Sequence, residues 1–422
     1  MKTVKLLTLT FGLGALLLTG CKDEPTTPTT PTVPSETTKS GLITADETWT
    51  NDKVYIISNK VVVDNGVTLT IEAGTLIKAK AGQGTLAAAL VVSRGGKIMA
   101  EGTASQPIIF TSEADNIKSG EKAGTNLTKD DNKLWGGIII LGDAPISAEN
   151  GDTETNIEGI PAEDGYGLYG GSNAAHNGGT LKYVSIRHGG ITIGEGNEIN
   201  GLTLGGVGTG TTIENVEIYA TLDDGIECFG GTVNISKALV FNQGDDGIDL
   251  DMNYSGTISE FAVYHGDGIG TDEGLEIDGP EGSTYTTGLF TLMNGVVKSM
   301  GSEPSAGDFK SKAQGTIKNV SFVGYGTAKP VKIRTKFDAN CGHKADAYSY
   351  MIDSPATLVF ENSNILEAVK VYDGDNDPTT CPTELTAAQT TAESLAVANG
   401  AGASIDVAAT FSWTCAGTRG EL

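Results

Sequence analysis

Three acidic doublets punctuate the middle of the chain: Asp223-Asp224, Asp245-Asp246 and Asp272-Glu273. Each precedes a glycine and a short alternating segment that carries more acid: Ile226-Glu-Cys228, Ile248-Asp-Leu250 and Leu275-Glu-Ile277, with Asp251 and Asp278 just beyond. Carboxylates gathered in this way suit two kinds of chemistry. Oxygen ligands in number, on a flexible frame, suit calcium, which takes six to eight of them; the expected ligands are Asp223, Asp224, Asp245, Asp246, Asp249, Asp272 and Glu273. Paired carboxyl groups also serve as acid and base in glycoside hydrolysis, with about 6.5–9.5 Å between them in the inverting case. A third reading is a solvated acidic face, in which each Asp caps its own turn and the glycine takes positive φ.

The segments that must position these groups repeat. One pattern places apolar residues first, fourth and sixth, as in Leu181, Val184 and Ile186; it recurs from Ile213, Ile235, Ile258 and Ile317, with a degenerate copy from Leu292 that has Gly295 in an apolar slot. A period of about 22 residues with longer excursions is what stacked coils with variable loops produce. A second alternating strand per coil is expected at Ile191–Ile193, Ile226–Cys228, Ile248–Leu250, Leu275–Ile277, Phe309–Ser311 and Val331–Ile333. Period-two alternation puts the flanking residues inside and the middle one outside. The outward column then reads Thr192, Glu227, Asp249, Glu276, Lys310, Lys332, and the next one Gly194, Phe229, Asp251, Asp278, Lys312, Arg334. Neighbouring strands lie about 4.8 Å apart, and two carboxylates at that spacing repel by about 3 kcal/mol at an effective dielectric of 20. Cys228 falls in the inner column, as a small buried hydrophobe.

The ends read differently. Residues 1–20 have a basic start (Lys2, Lys5) and an apolar run from Leu6 to Leu18, too short to span a bilayer but suited to a secretory signal. Residues 21–41 form an extended Pro/Thr-rich tether, 42–336 the repeat body and 337–422 a cap, which a solenoid end requires to cover its core and edge strands. Within the cap, residues 383–399 suit a short helix and residues 405–413 a closing strand. Cys341, Cys381 and Cys415 are the disulfide candidates of an exported protein, with the pairing open. His176, His188, His265 and His343 lack metal-ligand spacing and are expected on surfaces or loops. Tyr166 and Tyr169 are expected to pack their glycine-rich loop onto the sheet, with sugar stacking as the alternative. The net charge of −25 argues against nucleic acid and anionic membrane surfaces as partners.

Leu18-Thr19-Gly20-Cys21 resembles a lipobox, and Lys22-Asp23-Glu24 resembles the export tag of Bacteroidota surface lipoproteins. That resemblance implies lipidation at Cys21, an outer-membrane anchor and display at the cell surface. Glu72-Ala-Gly-Thr75, Gly95-Gly-Lys-Ile98 and Pro107-Ile-Ile-Phe-Thr111 resemble the opening coils of right-handed parallel β-helix proteins of the pectate-lyase-like superfamily, over about residues 42–335. An all-β, right-handed parallel β-helix with a small irregular C-terminal cap is therefore expected. The superfamily implies either a non-catalytic binding, adhesion or scaffold module for a polysaccharide or outer-membrane protein, or a hydrolase or lyase. Gly244-Asp245-Asp246, His265-Gly266 and Lys332-Ile-Arg334 resemble polygalacturonase elements, yet Leu222-Asp223-Asp224 stands where that pattern has Asn-x-Asp, and Tyr264 where it has glycine. The expected function is the non-catalytic one, with calcium stabilisation and a solvated acidic face as the two open readings of the carboxylates, and the enzyme as alternative.

Overall fold

The computed structural model describes Met1 and residues 34–82, 84–194, 197–266, 270–301, 303–365, 368–374, 379–396 and 400–422. The signal, the lipidation residue Cys21 and all but the end of the tether lie outside these residues. Every described strand lies within Pro34–Leu422, which is one compact unit. Among the described residues no helix is long and apolar enough to cross a membrane.

A 28-stranded, overwhelmingly parallel sheet winds through this unit, the strands inside the stack pairing with their counterparts one coil before and after. It is a parallel β-helix. One run of strands passes from Lys53–Val63 through Ala89–Val92, Ile138–Leu141, Leu202–Gly205, Ile226–Phe229, Ile248–Asp251, Leu275–Ile277, Gly307–Phe309 and Val331–Phe337 to Val369–Asp373. Its inward residues form a column with Val92, Ile140, Leu204, Cys228, Leu250, Ile277, Phe309, Ile333 and Val371, all buried. Burying each such side chain is worth about 1.5–3 kcal/mol, and this column is the spine of the core. Cys228 occupies the inner position expected of it.

Between the first and fourth positions of the repeated motif the chain turns a corner, and the third residue takes positive φ: Tyr183, Asn215, Lys237, Glu260, Asn294, Asn319 and Asn362 lie between 47° and 55°. Asparagine tolerates this left-handed region better than most residues. That accounts for its recurrence in the third position of the motif.

Two departures from the sequence expectation concern register. Ile191–Gly194 is no rung of the stack; it forms an antiparallel hairpin with Asn197–Ile199. The true rung is Leu202–Gly205, so Thr203 precedes Glu227 in the outward column. The segment around Phe309 is shifted by two, since Phe309 takes the second inward slot, paired with Ile277, and puts Asp308 opposite Glu276. The hairpin and a longer excursion, residues 144–171, lie on either side of the rung Gly179–Arg187, and their Ile146, Ile157, Ile160, Tyr169, Ile191 and Ile199 cover an apolar outer patch that includes Val62, Val91, Ile139 and Leu141. Tyr169 thus packs its loop onto the sheet, 6.0 Å from the Phe229 ring.

The stack begins earlier and ends later than the sequence suggested. Ser35–Ile43, of which the residues up to 41 were expected in the tether, pairs in parallel with Lys53–Val63. Beyond residue 336, Leu358–Glu361, Asn364–Ile365 and Val369–Asp373 supply a further coil. The helix Pro382–Ala396 then closes the end, burying Ala388, Ala392 and Ala396. Its Gln389 accepts from Val371 N–H at 2.8 Å and donates to Val369 C=O at 2.7 Å. One side-chain amide thereby occupies hydrogen-bonding groups that a further strand would have used. Cys341 and Cys381 are bonded, Cα atoms 5.6 Å apart, whereas Cys415 is a free, buried thiol. Residues 405–413 form no strand: Val407–Thr410 is a helical turn in a segment that runs back along the coils.

Candidate metal centre

Each acidic doublet divides its labour between its two members. The second member clips the coils together: Asn200 Oδ1 accepts from Asp224 N–H at 3.2 Å, Asp224 Oδ1 from Asp246 N–H at 2.9 Å, and Asp246 Oδ1 from Glu273 N–H at 2.5 Å. These bonds link successive coils, where the sequence suggested caps within a single turn. The first member, Asp223, Asp245 or Asp272, lies further out, half-buried in the first two cases and exposed in the third.

Beside the doublets runs the outward column, in the corrected order Thr203, Glu227, Asp249, Glu276, Asp308, Lys332, Lys370. Asp251 and Asp278 stand on its flank. Four groups of three carboxylates have ligand atoms within 4.8 Å of one another: Asp223, Asp224 and Asp245; Asp224, Glu227 and Asp249; Asp246, Asp249 and Glu276; Asp249, Asp251 and Asp278. Five of the seven ligands expected from sequence fall in these groups. Asp272 and Glu273 do not; Glu273 is taken up by Lys332 and by Ser305 Oγ at 2.8 Å.

The two ends of the ladder differ in how charge is compensated. Lys310 bridges Glu276 and Asp278, and Arg334 Nε holds both oxygens of Asp308 at 2.9 and 3.0 Å. Among the described residues no salt bridge reaches Asp223, Asp224, Glu227, Asp245, Asp246, Asp249 or Asp251. These groups are nevertheless shielded from water. Burial, and then mutual repulsion, pushes Asp224, Glu227, Asp246 and Asp249 well above the usual carboxylate range. Asp223 is lifted to about 8 by burial and by Asp245, and Asp245 to about 6 by burial and by Glu276. Glu158, on the long covering excursion, and Glu198, on the hairpin, add to this field; burial brings Glu158 to about 7. Asp223 Oδ2 and Asp249 Oδ1 are inaccessible and have no hydrogen-bond partner among the described residues. A buried anionic oxygen in that state costs about 1–3 kcal/mol or more unless something compensates it. A set of donors made only of carboxylate oxygens, clustered and under-compensated, fits a hard divalent cation such as calcium.

The sequence profile of the pectate-lyase-like β-helix domain matches residues 41–416. The chain belongs to this family. Neither the search of curated proteins nor that of solved structures yields a match. Within this pectate-lyase-like β-helix, most polygalacturonase-like residues are committed elsewhere. Asp246 is an inter-coil clip. His265 is fully buried, with Nδ1 3.0 Å from Tyr325 Oη; Lys332 is on Glu273, and Arg334 is on Asp308 and over the Tyr372 ring at 5.0 Å. His176 and His188 are buried too; with His265 they lie in loops, one of the two placements expected, though sheltered from solvent there. Asp308, Glu158 and Glu198 were missed. Asp308 was legible in the alternation of Gly307-Asp308-Phe309, whereas the two glutamates come from separate segments outside the stack.

Proposed function

We propose that this protein is a non-catalytic binding and scaffold module whose acidic outer column is stabilised by calcium, carried on a lipid anchor at Cys21 and displayed from the outer membrane. The observation that carries the calcium reading is the row from Asp223 to Asp251, carboxylates within 4.8 Å of their neighbours and without a cationic partner among the described residues. Asp223, Asp224, Glu227, Asp245, Asp246 and Asp249 would supply the oxygens, with Asp251, Glu276 and Asp278 at the far end. The ion would convert mutual repulsion into cross-links between coils. Absence of catalysis is argued from the fixed roles of Asp246, His265, Lys332 and Arg334. A polysaccharide or an outer-membrane protein is the partner class that an exported solenoid face suits.

The second reading, a polysaccharide hydrolase or lyase, is favoured by one observation: Asp245 sits half-buried with its carboxyl lifted to about 6, the range of a general acid. One experiment separates the two. Metal-free protein is titrated with calcium while the thermal midpoint is tracked, and acidic and neutral polysaccharides are incubated with it in parallel. A rising midpoint without sugar release is the expected result. Chain cleavage abolished by Asp245→Asn would replace this reading by the enzymatic one, and a midpoint indifferent to calcium would remove the metal from it. Membrane fractionation of Cys21→Ser against the natural chain tests the anchor, with release into the soluble fraction expected.

A further inference from the structure

The last segment of the chain does not stay with the cap. After the helix Pro382–Ala396, Ala401 N–H donates to Asn362 Oδ1 at 3.2 Å, Ala403 N–H to Ser321 Oγ at 2.9 Å, and Ser404 N–H to Asn294 Oδ1 at 2.8 Å. Two of these acceptors are left-handed corner asparagines, whose side chains are turned out of the barrel by positive φ. Further back, Phe411, Cys415 and Ala416 join Tyr219, Leu239, Phe241, Ala262 and Tyr264 in one buried apolar cluster on the outer face. Trp413 meets the Tyr183 ring edge-on at 5.3 Å. Glu217, fully buried, accepts from Cys415 N–H at 2.9 Å and Ala416 N–H at 3.0 Å. Finally, Arg419 Nη2 donates to Gly124 and Leu127 carbonyls at 3.0 and 2.7 Å, and Tyr219 Oη donates to Glu421 at 3.0 Å.

Residues 400–422 therefore touch rungs from Leu358–Glu361 and Asn364–Ile365 back to Gly179–Arg187, seven coils in all. At about 4.8 Å per step that is on the order of 30 Å along the stack. The rings beneath are stacked on one another, Tyr219 on Phe241 at 5.4 Å and 8° between planes, so their faces are turned to neighbouring rungs and not outward. That geometry suits a covered column and not a sugar platform.

We infer that residues 400–422 act as a strap that couples coils far apart in the stack, making the β-helix unfold as one unit where a bare solenoid would fray coil by coil. In an uncoupled solenoid each coil is held by its two neighbours alone, and opening propagates from an end. Here the last coil cannot leave without pulling on contacts with Tyr183, Glu217 and Tyr219, and those early coils cannot open without uncovering the Phe411–Tyr219–Phe241 cluster.

Hydrogen exchange resolved by segment tests this on the full chain. Replacing Trp413→Ala together with Phe411→Ala weakens the middle of the strap and leaves the side chains of the coils beneath it unchanged. Expected is faster exchange, by about tenfold or more, in three places at once: Thr212–Tyr219, Asn234–Phe241 and the distant Leu358–Glu361. Faster exchange confined to residues 400–422 and the strands they touch at the replaced positions would overturn the coupling. A chain ending at Gly402 gives the second measurement: its unfolding should broaden or split and begin at a lower temperature. If that shortened chain unfolds in one transition at the original midpoint, the strap is merely a surface decoration. Should the shortened chain not fold, the exchange pattern of the full-length variant decides alone.

Discussion

Asp249 belongs to three of the carboxylate groups at once, and one of its oxygens is buried without a partner among the described residues. Neutralising it separates the two sides of the proposed site. In metal-free protein Asp249→Asn should raise stability by about 1–3 kcal/mol, because burial and the neighbouring acids disfavour the ionised carboxyl and a neutral amide escapes that cost; denaturant unfolding reads this directly. The same variant should lose most of the stabilisation that calcium gives the natural chain. The pH dependence is set by the direction of the shifts. Asp223, at about 8, and Asp245, at about 6, hold protons more tightly folded than unfolded. The folded state therefore binds more protons in that range, so stability falls as pH rises from about 4 through 8. Thermal midpoints of metal-free protein should decline from pH 5 to pH 9. Saturating calcium should flatten that slope, since the ion replaces the protons.

At the scale of the element, two side chains do the work of backbone. Gln389 closes the last strand, and Gln389→Ala leaves Val371 N–H and Val369 C=O unpaired at the end of the stack. The cost expected is about 1–3 kcal/mol, concentrated in exchange of Val331–Phe337 and Val369–Asp373. Asn319 tolerates φ of 52° and accepts from Asn362 Nδ2 at 2.6 Å. Asn319→Ala should destabilise by about 1–2 kcal/mol, and Asn319→Gly by less, since glycine adopts that conformation freely.

The element scale also shows why some of the structure was legible and some was not. Glu227, Asp249 and Glu276 could be placed in one column because Ile, Leu and Cys flank them at period two and the coils between them are short. Ile191-Thr192-Ile193 has the same alternation as Leu202-Thr203-Leu204, and a pattern common to both cannot say which one stacks. The answer lies in Asn197–Ile199, which folds back on the first. Around residue 309 the inward slot is filled by Gly307, so the apolar mark that would set the register is missing and the expected register slips by two. The sequence separation between Glu217 and Cys415 explains why the strap left no sign: no local period connects them.

For the whole molecule, a ligand that binds only the folded state raises stability with the logarithm of its free concentration. The thermal midpoint should therefore keep climbing with calcium past saturation of the site, and magnesium, which demands stricter octahedral geometry, should give a smaller rise at equal concentration. Differential scanning calorimetry over a calcium series checks both. A midpoint that rises equally with any salt would indicate screening alone.

The outward column changes character along its length: Val62, Val91 and Ile139 are covered and apolar, Glu227 to Asp308 anionic, Lys332 and Lys370 cationic. Such a line is vectorial. A flexible chain lying along its uncovered rungs meets negative charge and then positive charge, in that order and never the reverse. Turned end for end, the same chain would set its groups against unlike neighbours, so the two docking polarities differ in energy by whatever asymmetry the chain itself carries. A stack of near-identical coils thus acquires a direction, written in one residue per rung.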